Sequence, residues 1–124
     1  MWQKQYTNVL SYSAGCDVYF KNYCNMVGYK SFTTFFADLG TAEWFGEKSV
    51  KETFDNVTRN WLDDYKWYTE FVFALNLKSW YWYENGEQEL SKLYCDLFYK
   101  AKDKFYKKYS GNVEACDYFF DVTD

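Results

Sequence analysis

Apolar residues recur every three or four positions through most of this chain, and the rhythm breaks at glycines. Val50, Phe54, Val57, Trp61, Tyr65, Tyr68, Val72 and Leu75 keep helical spacing. Leu90, Leu93, Tyr94, Leu97, Phe98, Ala101 and Phe105 repeat it on one face of a second segment. That segment starts with Glu87-Gln88-Glu89 and ends with Lys104, Lys107 and Lys108 before Gly111, the charge order a helix dipole favours. Asp96 with Lys100, and Asp103 with Lys107, stand as acid-before-base pairs four apart. Upstream, Ser31 is the expected cap of a helix running through Thr33 to Phe45, with Gly46 as its left-handed stop. Ser49-Val50-Lys51-Glu52 reads as a capping box, in which serine and glutamate side chains each satisfy an unpaired amide. Downstream, Asn112 is the expected cap of a short terminal helix reaching about Phe120.

An unbroken helix from Val50 to Glu84 would be about 52 Å long at ~1.5 Å per residue. A globule of this chain length is only about 35 Å across. A break is therefore expected, and Asp63-Asp64, good N-cap residues with charge suited to a helix start, is the place for it. Residues 1–30 carry two signals. Trp2, Tyr6, Val9 and Leu10 suit a helix stopped at Gly15, whereas Val9 to Tyr12 and Val18 to Lys21 around Ser13-Ala14-Gly15 suit a short hairpin. Helix is favoured. The chain contains no proline, and the whole reads as an all-α fold: a compact, aromatic-rich bundle of four to six helices over residues 31–124, with residues 1–30 an N-terminal extension packed on it.

Aromatics make up 26% of the 124 residues, and their placement changes the picture. Trp80-Tyr81-Trp82-Tyr83 on a helix must point in four directions about 100° apart, so one core face cannot hold them all. With the core side centred on Phe71, Leu75 and Trp82, the opposite side carries Phe73, Leu77, Trp80 and Tyr81 beside Lys66, Glu70 and Glu84. Either this helix is central and covered on its second side by residues 1–45, or it exposes an aromatic patch. Trp and Tyr bury much area with few rotors, which is what a protein-binding hot spot requires. Tyr99 and Tyr106, seven apart on the outer face of the next helix, extend the candidate surface.

Charge is uneven on a chain of net −4. Residues 31–75 hold eight acids against four bases, residues 100–109 hold five lysines against Asp103, and residues 110–124 hold four acids and no base. Lys100, Lys104 and Lys107, interleaved with Tyr99 and Tyr106, could grip phosphates while the rings stack on bases. A nucleic-acid binder is ordinarily basic overall and richer in arginine than this chain, where Arg59 stands alone among 14 basic residues. Direct nucleic-acid binding is thus the alternative reading.

The chain contains no histidine, which removes the usual base near neutral pH and the commonest zinc ligand. Cys16, Cys24, Cys95 and Cys116 match no zinc-ribbon or finger spacing and are expected as free thiols. Nothing marks a nucleophile, and Asp63-Asp64 with Glu70 is the densest inner carboxylate cluster. The expectation is a non-enzymatic protein with neither metal nor cofactor. The most apolar stretch, Phe71 to Leu75, is cut by Asn76 and Lys78, too short to span a membrane. The beginning of the chain shows no secretory pattern, so the cytoplasm is the expected location.

Thr34-Phe35-Phe36-Ala37-Asp38, the stretch Trp61 to Trp82 with Thr69-Glu70-Phe71 and Leu75-Asn76, and Tyr118-Phe119-Phe120 to Thr123-Asp124 complete the pattern. Together they resemble small helical hypothetical proteins carried on phages and conjugative elements of gut Firmicutes. The resemblance covers about residues 31–124 and implies an accessory role against host defence, like that of anti-CRISPR or antirestriction proteins. The implied partner is a host protein, a nucleic-acid-processing effector such as a Cas nuclease, blocked sterically or electrostatically. On that reading Trp80, Tyr81, Tyr99 and Tyr106 are anchors, and Asp63, Asp64 and Glu70 are charge partners. A structural homodimer burying the aromatic surplus is the third expectation.

Overall fold

A computed structural model describes residues 29–123; the expected extension of residues 1–30, helix or hairpin, lies almost wholly outside the described residues. Five helices follow one another: α1 (Tyr29–Glu43), α2 (Glu47–Trp61), α3 (Tyr65–Glu84), α4 (Gln88–Tyr109) and α5 (Val113–Thr123). The described chain is an all-helical bundle, as the spacing predicts.

The joints show why each helix stops. Gly46, Gly86 and Gly111 hold φ of 108°, 78° and 88°, and a side chain would be strained there. Gly46 both ends α1 and caps α2, with the Val50 amide donating to its carbonyl at 3.2 Å. α2 therefore starts at Glu47, and Ser49 lies inside its first turn, so the expected capping box is not used. Ser31 likewise sits within α1 rather than at its start. The expected break at Asp63-Asp64 is present. Asp64 caps α3, its carboxylate accepting from the Lys66 and Trp67 amides at 3.2 Å each. Asn112 caps α5 through the Ala115 amide at 3.0 Å, and that helix runs three residues past the expected Phe120.

α3 is the axis of the bundle and touches each of the other four helices. Every position from Tyr68 to Leu75 is buried, with Leu77 and Lys78 beyond. An apolar residue on every side marks a helix surrounded by protein, so Phe73 and Leu77 are core, as the central-helix reading predicts. Phe35 of α1 meets Phe71 edge-on at 5.3 Å, and Phe105 of α4 meets Phe119 of α5 at 4.3 Å. Ser79 and Ser91 exchange side-chain bonds with each other's carbonyls at 3.2 and 2.9 Å, pinning α3 to α4. Among the described residues no helix is long and apolar enough to cross a membrane.

Candidate functional site: an aromatic groove between α3 and α4

Where the C-terminal half of α3 passes the N-terminal half of α4, the two helices leave a groove of about 610 Å³. Trp80 and Tyr83 wall it from α3, and Phe98 and Tyr99 from α4. Trp80 and Tyr83 meet edge to face at 5.8 Å, and Phe98 and Tyr99 do so at 5.1 Å. Trp80 is 38% exposed, Tyr83 61% and Tyr99 60%. The rings pair within each wall, and the Ser79–Ser91 bonds, from residues that also line the groove, fix the two helices against each other. Lys92 pairs with Asp96 at 3.1 Å on one wall, in place of the expected Asp96–Lys100 pair. The α3–α4 turn beside the groove carries Glu84 and Glu87, both exposed, whereas Glu89 lines a separate cleft with Glu47 and Lys51.

The expected anchors divide. Trp80 and Tyr99 share this groove. Tyr81 turns away, half-buried, against Trp82 at 4.9 Å. Tyr106 lies half-buried at the far end of α4, packed on Phe119 and Phe120 at 5.4 and 6.1 Å. Neither is a groove residue. Tyr83 and Phe98 were not among the expected anchors; Tyr83 stands three residues beyond Trp80, a spacing that shares a helix face, whereas the apolar spacing assigns Phe98 to the core face of its helix.

The three expected charge partners sit elsewhere. Asp64, the α3 cap, lies about 24 Å along the helix from Trp80. Asp63 pairs with Lys108 at 2.8 Å, which raises the lysine's pKa. Glu70 is not a surface residue at all. It is 3% exposed, and its Oε2 accepts the Tyr118 hydroxyl at 2.7 Å while Oε1 has no partner. Burial pushes its pKa up to about 7, the Tyr118 bond opposing. A carboxylate buried in this way cannot meet a partner's charge, and the sequence-based expectation for Glu70 is corrected.

The basic stretch of α4 is similarly engaged. Lys107 pairs with Asp103 at 3.1 Å as expected, Lys100 lies over the Phe54 ring at 5.5 Å, and Lys104 is half-buried. These lysines do not converge on one groove. A feature missing from the expectations is the α1–α2 turn, where Trp44 and Phe45 are 89% and 78% exposed. The apolar spacing carried the expected helix through both residues, and only Gly46 marked the turn. Cys95 and Cys116 are free thiols; Cys16 and Cys24 lie outside the described residues. No protein family, curated protein or solved structure matches the chain.

Proposed function

We propose that this chain is a non-enzymatic docking protein whose α3–α4 groove takes a basic protein surface, and that its target is a nucleic-acid-processing effector of a bacterial host's defence, blocked sterically. One observation carries the docking part: four rings, Trp80, Tyr83, Phe98 and Tyr99, line one open groove together with Asp96, and the adjoining α3–α4 turn carries the exposed Glu84 and Glu87. Rings with exposed faces beside carboxylates suit lysine and arginine side chains, which gain cation–π contact and ion pairing together. Surfaces that grip nucleic acid are rich in those side chains. The choice of a defence effector rests on the resemblance to mobile-element proteins.

The test is capture from host lysate with intact protein and with Trp80→Ala/Tyr99→Ala, followed by calorimetry on the purified partner. The expected partner is a basic nucleic-acid-processing protein whose nuclease activity the intact chain inhibits. Affinity should fall at least tenfold in the double variant and modestly in salt. Equal capture by both proteins overturns the groove. A partner without basic character overturns the target class, and a doubled mass in light scattering, lost in the double variant, assigns the groove to a homodimer instead.

A further inference from the structure

α5 is an 11-residue helix, too short to be stable in isolation, so its place depends on what docks it. Phe119 and Val122 supply the apolar part. The polar part is a reciprocal pair of tyrosine–carboxylate bonds across the α3–α5 contact. Tyr65 of α3 donates to Glu114 of α5 at 2.8 Å in the open, and Tyr118 of α5 donates to Glu70 of α3 at 2.7 Å inside. The two bonds differ in surroundings. Glu114 faces water, whereas Glu70 is sealed, with one oxygen bonded and the other facing no donor.

An anion in that position is supported by one hydrogen bond, with no ion pair to Glu70 among the described residues, and a buried carboxylate so poorly served is better off neutral. The charged and titratable groups around it pull in both directions. On α3, Lys66 favours the anion and lies over the Tyr118 ring at 5.9 Å, while Asp64 opposes it. From α5 comes Tyr118, whose own pKa is raised by burial and by Glu70. From α4, Tyr109 packs on Tyr65 at 6.0 Å. Loss of the proton leaves a choice between a sealed, half-solvated anion and an opened contact that lets water reach Oε1.

We propose that Glu70 is a proton-operated latch: protonated, it tolerates the seal that α5 makes over it, and its deprotonation, which leaves Oε1 charged and without a donor among the described residues, loosens α5. The burial-raised affinity for the proton places the change near neutral pH. Opening should be most favourable above that range and least below it, because the exposed carboxyl gives up its proton more readily than the sealed one.

Hydrogen exchange of the α5 amides at pH 5.5 and 8.5, corrected for the base-catalysed chemical rate, tests this. The opening equilibrium should rise roughly thirtyfold across that range, the factor that follows from a shift from 4.5 to about 7. In Glu70→Gln the rise should vanish, and in Glu114→Gln it should persist. An unchanged rise in Glu70→Gln overturns the latch. Should that variant fail to fold, carbon NMR titration of the glutamate carboxyls in the intact protein decides: a Glu70 midpoint near 7 supports the latch, and one below 5.5 overturns it.

Discussion

Two glutamates enter the interior of this bundle at opposite ends of α3, and they are solved in opposite ways. Glu43, at the end of α1, gathers three donors onto one oxygen: the Lys78 ammonium at 3.0 Å, the Trp82 indole at 3.2 Å and the Tyr94 hydroxyl. Its cation is itself sealed and rests on the Phe36 ring at 4.2 Å. Burial pulls the Lys78 pKa down and Glu43 pulls it back up, while burial and Glu43 both push the Tyr94 hydroxyl up. Among the described residues Glu70 has one donor, no ion pair and an idle oxygen. The same side chain thus joins an ion pair with three donors at one end and a sparsely served contact at the other. The difference is the number of donors the fold delivers, since a buried carboxylate is stable as an anion only when it is fully served. The space around Lys78 fits this reading: a Cβ on Gly40 would sit 3.6 Å from its Nζ, an ordinary van der Waals contact, so α1 passes directly over the ammonium.

The comparison can be broken most forcefully at Glu43. Lys78→Met strands Glu43 without its cation, and chemical denaturation should show a loss of about 3–5 kcal/mol. A loss under 1 kcal/mol would mean the Glu43–Lys78 pair is no more than a surface pair. The latch end predicts a pH effect instead. Folded Glu70 keeps its proton to about pH 7 while an ordinary glutamate releases it near 4.5. The stability it contributes is complete below the lower value and is lost as pH rises through the higher. Between pH 5.5 and 8.5 the intact chain should lose about 2 kcal/mol that Glu70→Gln keeps. Tyr118→Phe sharpens the contrast by removing the one donor among the described residues: stability should fall by about 1 kcal/mol, and the Glu70 titration midpoint should move further up. Smallest is Glu114→Gln, whose exposed bond to Tyr65 should contribute less than about 0.5 kcal/mol and leave the pH profile unmoved.

Much of the architecture could be read in advance because its boundaries are local. Gly46, Asn85-Gly86 and Gly111 mark turns through backbone chemistry alone, and the break at Asp63-Asp64 followed from comparing a helix length with a globule width. The capping box failed because a positive-φ glycine three residues upstream had already started the helix, a competition between two local signals of similar strength. The site was less legible. A helix that is apolar on every side gives no phase, so which of Trp80, Tyr81 and Tyr83 would stay outside depended on where α1 and α4 lie. Glu70 could not be placed because its burial depends on Tyr118, 48 residues along the chain. Trp80 and Tyr99 were found because a crowded run of rings is visible without a structure; the acids beside them were misassigned because charge along a chain does not say which end of a helix a groove occupies.

The joint between α2 and α3 carries one more consequence. Trp61 and Trp67 lie face to face at 4.3 Å and 10° across the Asp63-Asp64 break, clamped edge-on by Phe35. Two indoles so close couple their electronic transitions, and any resulting far-ultraviolet circular-dichroism signal takes its sign and size from the in-plane angle between them. The coupling of Trp61 to Trp67 depends on the α2–α3 joint, since one ring comes from each helix. A sample in which that signal is resolved therefore reports separately on whether the helices persist and whether the elbow between them has come apart.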